Sequence, residues 1–148
     1  MALNIPVAPL NISRNMMPQI ASKHLPEFIE SLKKKGIHVI SKMVRVNSLK
    51  PTQSEFNHDK IQNLLDKKKL DIPIIISKDN YVLDGHHRYV AELNRNKSSK
   101  ISAFIVDLKI NDLIQEANLF EKSFTKELHE ENKTKVLKSL IREHYKKF

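Results

Sequence analysis

Two glycines, Gly36 and Gly85, are all that a chain of 148 residues contains. Glycine is the residue that enters left-handed backbone without penalty, so each of the two should mark a special turn. The same scarcity rules out a glycine-rich phosphate loop of the Walker or dinucleotide type anywhere in the sequence. Gly36 closes a segment, Leu25 to Lys35, that reads as a helix. Pro26 suits its first turn, Glu27 and Glu30 its N-terminal half, and three lysines its end. Leu25, Phe28, Ile29 and Leu32 supply its apolar face.

The remaining pattern alternates short strands and helices. Residues 1–20, with Pro6, Pro9 and Pro18, read as an extended arm over the domain. Ile37–Ile40 and Met43–Val46 are expected strands, and Ser48 to Asn57 a loop. Asp59 to Lys68 fits a helix capped by Asn57, with Ile61, Leu64 and Leu65 inward. Ile72 to Ser77 reads as a buried strand, Lys78-Asp79-Asn80 as a hairpin turn and Tyr81 to Asp84 as the returning strand. His86 to Arg95 fits a helix and Ile101 to Asp107 another strand. From Asn111 the pattern is helical to the end, with Leu113, Ile114 and Ala117 in one apolar stripe. Val136, Leu137, Leu140, Ile141 and His144 form a second stripe. The expectation is one α/β domain (α+β). Its small mixed sheet occupies a core of about 37–108, with an arm and helix at 1–36 and helices at 109–148. The C-terminal helices are expected to pack on the sheet or on a second subunit.

Composition bounds the chemistry. There are no cysteines, which excludes disulfides, thiolate metal sites and cysteine nucleophiles. The longest apolar runs, Ile72–Ile76 and Ala103–Val106, fall far short of the ~20 residues that span a bilayer. Met1 to Leu10 carries no basic region ahead of an apolar stretch. A soluble cytoplasmic protein with no membrane partner is expected. The net charge of +9 favours an anionic partner, a nucleic acid, nucleotide or other phosphorylated molecule. From Ser31 to Lys50 there are six basic residues (Lys33, Lys34, Lys35, Lys42, Arg45, Lys50) and no acidic one. A solvated basic face accounts for that run equally well.

The informative stretch is Tyr81 to Ala91, which reads as a strand, a turn at Gly85 and the first turn of a helix. Unpaired N–H groups at a helix start stabilise an anion. Arg88 can grip phosphate oxygens in a bidentate manner. His86 and His87 can donate hydrogen bonds or move protons near neutral pH. Asp84 can orient a histidine, hold a metal or act as a base. The competing reading is an exposed helix start, rich in His and Arg, with Asp84 as its cap. A metal site made by the two histidines is disfavoured, because neighbours on a helix point in different directions and no i, i+4 histidine follows.

Strand, Asp84-Gly85-His86-His87-Arg88 and helix together resemble the signature of the ParB/sulfiredoxin fold, in the variant of the ParB-like free serine kinases. Leu49-Lys50-Pro51-Thr52-Gln53 resembles that family's first box, a loop facing the nucleotide. The resemblance covers about Met43 to Asp107, and the chain is also similar to stand-alone ParB-like proteins of bacteriophages, which would place it in host cytoplasm. It implies that Gly85, His86, His87 and Arg88 bind nucleotide phosphates, that Asp84 is the acidic residue before them, and that Lys50, Thr52 and Gln53 face the nucleotide. Glu55 lies beyond the first box and is considered as an acid/base, against the alternative of a solvated residue before a helix. His58, Asp59 and Lys60 read as the polar start of that helix. The chain departs from sulfiredoxins in lacking cysteine, and from partitioning ParB in lacking Glu-Arg-Arg, and the helix-turn-helix and dimerisation domains of partitioning ParB are not expected in it. Besides an inactive relic that acts through binding alone, against which the intact Asp84, His86, His87 and Arg88 argue, two function classes follow. One is a phosphotransferase or phosphohydrolase using ATP or another nucleoside triphosphate with Mg²⁺, and an acceptor not yet specified. The other is a ParB-like nuclease or DNA-binding accessory protein, gripping backbone phosphate at the same turn and nucleic acid through its basic surface.

Overall fold

The computed structural model describes residues 3–13, 16–53, 55–67, 72–120 and 122–125. The chain runs β1 (Pro18–Gln19), α1 (Leu25–Lys34), β2 (Val39–Arg45), β3 (Lys50–Pro51), α2 (His58–Asp66), β4 (Ile74–Ser77), β5 (Tyr81–Asp84), α3 (His86–Arg95), β6 (Lys100–Val106), α4 (Ile110–Leu119) and β7 (Phe124–Thr125). Five strands form one mixed sheet in the order β2-β6-β4-β5-β3. β2 is antiparallel to β6, β6 parallel to β4, β4 antiparallel to β5, and β5 parallel to β3. The result is the expected α+β class.

The alternation of side chains along each strand builds two cores. Ile75, Leu83 and Val106 meet Phe28 and Leu32 of α1 and Leu113 and Ala117 of α4 on one face. Ile74, Ile76, Val82, Ile101 and Ala103 meet Ile61 of α2 and Val90 of α3 on the other. β4 therefore sits between two helical layers, which is why it is an unbroken isoleucine run rather than an alternating one. Gly36 lies just past α1 at φ +80°, the left-handed terminator foreseen. Asn80 takes φ +70° in the β4–β5 hairpin, a conformation that asparagine tolerates.

Several boundaries differ from expectation. The two strands placed at Ile37–Ile40 and Met43–Val46 are one, Val39–Arg45. Ser41 and Lys42 do not interrupt it, because an edge strand tolerates polar residues and here each residue pairs with β6. The loop from Ser48 to Asn57 contains β3, whose pairing partner Tyr81–Val82 is distant in sequence. α2 starts at His58 and ends at Asp66. β4 begins only after Pro73, and β6 begins at Lys100. Beyond α4 the chain is not continuously helical, since Phe124–Thr125 pairs antiparallel with Pro18–Gln19 of the arm. The stripe from Val136 to His144 lies outside the described residues. Among the described residues no helix is long and apolar enough to cross a membrane.

Candidate functional site

β5 delivers Asp84 to the end of the sheet, and the chain turns into α3 at Gly85. Gly85 has φ +94°, and a Cβ there would lie 2.4 Å from Cγ2 of Ile74 and 2.9 Å from Nη2 of Arg88. No other residue fits this turn without displacing the core strand beside it. The β4–β5 register shifts between the pairs Ile75–Asp84 and Ile76–Val82, a local irregularity immediately before the turn. The first hydrogen bond of α3 runs from Tyr89 N–H to the Gly85 carbonyl at 2.9 Å. The N–H groups of His86, His87 and Arg88 thus have no acceptor within the helix.

Parallel pairing of β3 with β5 puts their C-terminal ends side by side. With Pro51 opposite Val82, Gln53 emerges next to Asp84. Ligands in α/β sheets gather at such carboxyl ends. A cavity of about 260 Å³ opens there. Residues 19–22 of the arm, Gln53, Lys60 and Leu64 of α2, and the turn 84–88 form its walls.

Both histidines line this cavity, yet each is tied through its Nε2 to the loop after β3. Thr52 N–H donates to Nε2 of His86 at 3.2 Å. A backbone amide always carries its proton, so this nitrogen must present a lone pair, and the ring proton belongs on Nδ1. The Thr52 hydroxyl donates to the Val82 carbonyl oxygen at 2.9 Å, and its oxygen lies 2.9 Å from the same Nε2. His86 is only 4% exposed, and burial pushes its pKa down to about 3, with the neighbouring His87 acting in the same direction. Asn57 N–H donates to Nε2 of His87 at 3.0 Å. Phe56 packs edge-on to His87 and tilted to His86, with ring centroids 6.0 and 6.2 Å away. The adjacent imidazoles therefore hold the two ends of one loop, Thr52 and Asn57, against the start of α3.

The polar groups facing the cavity differ in kind. The backbone N–H groups of Ile20 and Gly85 favour the ionised form of Asp84. Burial raises its pKa, opposed by the Arg88 guanidinium, those two N–H groups and Lys60. Arg88 donates through Nη2 to the Pro73 carbonyl at 3.2 Å, while its buried Nε has no partner among the described residues. Burial lowers the Arg88 pKa and Asp84 raises it. Gln53 is 2% exposed. Its Nε2 donates to the Glu55 carbonyl at 2.9 Å, and its buried Oε1 has no partner among the described residues.

The other first-box residues lie elsewhere. Thr52 is buried behind His86 and does not line the cavity. Lys50 is exposed, with Nζ 4.2 Å from the centroid of the Tyr81 ring. Glu55 is exposed and outside the cavity walls, its contribution to the site being the carbonyl that orients Gln53. His58 and Asp59 are exposed and also outside the walls, whereas Lys60 and Leu64, one helical turn apart, form one wall together. The arm wall, Gln19 to Ser22, carried no signal in the sequence, because nothing local says where an extended segment will cross. Among the described residues no group of three or more histidines, aspartates or glutamates converges as a metal-ligand set.

No protein-family model, curated protein or solved structure matches this chain. The fold and the cavity define a mixed α/β protein with a polar pocket at a strand–turn–helix junction.

Proposed function

We propose that the chain binds a nucleoside triphosphate with Mg²⁺ at the Asp84–Arg88 turn and catalyses phosphoryl transfer to an acceptor, or hydrolysis. One observation carries this reading. The start of α3, Arg88 and Lys60 converge on one cavity in which Asp84 is the single carboxylate among the described residues. That arrangement suits a phosphate group, which helix N–H dipoles and cations stabilise together. The similarity of Asp84-Gly85-His86-His87-Arg88 to the ParB/sulfiredoxin signature points the same way.

The residues divide the work. Arg88 and the first-turn N–H groups of α3 hold phosphate oxygens, and Lys60 of α2 neutralises charge from its own part of the wall. In the transfer step the acceptor oxygen bonds to the γ-phosphorus as the bond to the bridging oxygen breaks. The nucleoside diphosphate departs, and the acceptor proton passes to the Asp84 carboxylate. Burial, which favours the protonated carboxyl, strengthens Asp84 as that proton acceptor. A single carboxylate fits an ion that arrives with the triphosphate better than a protein-only metal site. Mg²⁺ so bound supplies charge neutralisation on the phosphate oxygens. His86 and His87 position the loop that presents Gln53.

A nuclease or DNA-binding role at the same turn is the second reading. It draws on the exposed Lys42 and Arg45 of edge strand β2. The enclosure of the cavity by residues 19–22 favours a small phosphorylated molecule over a duplex backbone. Calorimetric titration of ATP and ADP with Mg²⁺ tests the proposal on wild type and Arg88→Ala. Loss of one charged donor should weaken binding about ten- to a hundredfold. Absence of binding to the wild type by these or other nucleoside triphosphates removes the reading and turns attention to DNA and RNA cleavage.

A further inference from the structure

β2 ends the five-stranded sheet with one side unpaired among the described residues. Two bonds fix which of its backbone groups are left over. Asp107 N–H donates to the His38 carbonyl at 2.9 Å, and Val46 N–H donates to the Ser99 carbonyl at 3.0 Å. They bracket the register from Val39 opposite Val106 to Arg45 opposite Lys100, so Ile40, Lys42 and Val44 turn their backbone groups toward β6. The N–H and C=O groups of Val39, Ser41, Met43 and Arg45 point out of the sheet edge. Natural edges are commonly blunted by proline, a bulge or short length. β2 runs seven residues with no proline and no register shift. It also exposes apolar side chains on both faces, Ile40 at 55% and Met43 at 49%.

Charge selects the occupant. Lys42 and Arg45 are exposed, and neither has an ion-pair partner among the described residues. A second copy, pairing antiparallel over all seven residues, would set Lys42 directly opposite its own counterpart, and like charges so placed destabilise a strand pair. A nucleic-acid backbone meets one surface, whereas Lys42 and Arg45, three residues apart, project from opposite faces. An added strand alternates in the same way and reaches both. We propose that β2 docks an extended acidic segment of a partner protein, added antiparallel to the edge, with carboxylates opposite Lys42 and Arg45 and apolar side chains opposite Ile40 and Met43. β2 and β3 are the two opposite edges of the sheet, and the cavity opens beside β3 and β5, so this surface stands apart from the phosphate site.

The probe is a fluorescein-labelled peptide, Glu-Thr-Val-Glu-Thr-Ile-Thr, titrated with the full chain and read by anisotropy. Wild type should bind it about tenfold tighter than the same peptide with lysine for both glutamates, since each exposed ion pair contributes a few-fold. Met43→Pro deletes an N–H that β6 does not use, a place where an edge strand tolerates proline, and should weaken peptide binding about tenfold. Lys42→Glu combined with Arg45→Glu should reverse the preference between the two peptides. If Met43→Pro does not fold, a peptide N-methylated at its valine, which lies opposite Met43, removes the same rung from the other side and should bind wild type about tenfold more weakly. Failure of the acidic peptide to bind, or binding that neither the proline nor the N-methyl group weakens, overturns the proposal. So does duplex DNA that binds the chain through Lys42 and Arg45 and displaces the peptide from both wild type and Met43→Pro, which makes the edge a nucleic-acid surface. Wild-type dimers in sedimentation equilibrium that Met43→Pro dissociates overturn it as well, by placing a second copy on the edge.

Discussion

His86 should make the stability of this protein acid-sensitive in a calculable way. Replacing it with leucine leaves Thr52 N–H buried without its acceptor, a loss of about 1–3 kcal/mol at pH 7. Lowering the pH reverses the comparison. In the folded protein the His86 pKa is about 3, against an ordinary 6.5 in the unfolded chain. Between those values the unfolded state binds the proton and the folded state does not. The contribution is complete above pH 6.5 and is lost as the pH falls. Each pH unit well inside that window is worth about 1.36 kcal/mol, so wild type loses roughly 2 kcal/mol between pH 6.5 and 4.5 through this residue. His86→Leu has nothing to protonate there. Urea denaturation of both proteins at intervals from pH 7 to 4.5 reads the difference, in which the effects of titrating groups that do not interact with His86 cancel. The variant should be the less stable at pH 7 and should equal or exceed wild type by pH 4.5. A stability difference that stays constant across the range would refute the assignment of His86 as a buried neutral acceptor.

Further outcomes at three positions follow from the geometry. Gly85→Ala places a methyl 2.4 Å from Ile74 in a left-handed residue and should cost about 2–5 kcal/mol, read from the urea midpoint. Arg95→Ala should cost about 2–4 kcal/mol. It removes a guanidinium bonded to the carbonyls of Leu64, Leu65 and Lys67 at the end of α2 and leaves its ion-pair partner Glu92 buried. Arg95→Lys should recover little of the thermal midpoint, since an ammonium cannot reproduce that fork. Asn57→Ala deletes the Oδ1 that caps α2 at Lys60 N–H, 3.0 Å away, and should cost about 1 kcal/mol in chemical denaturation.

The stretch from Tyr81 to Arg95 was legible to the residue. A β-run, a lone glycine and a helical period are local signals, and the physics that places Gly85 at φ +94° acts within a few residues of it. The cap at Asn57, the stop at Gly36 and the turn before Tyr81 were legible for the same reason. Non-local pairing decided the rest. Ser41 and Lys42 look like a break until β6 supplies their partners, and Lys50–Pro51 looks like loop until Tyr81–Val82 lies beside it. The roles at the site divide along the same line. That Asp84, Arg88 and the start of α3 would stand together follows from sequence adjacency and helical geometry. That His86 and His87 accept hydrogen bonds from Thr52 and Asn57 does not, because those donors lie 34 and 30 residues away. An imidazole has the same composition whether it moves a proton or holds a loop, and only the tertiary structure, by burying the ring against a backbone N–H, decided which.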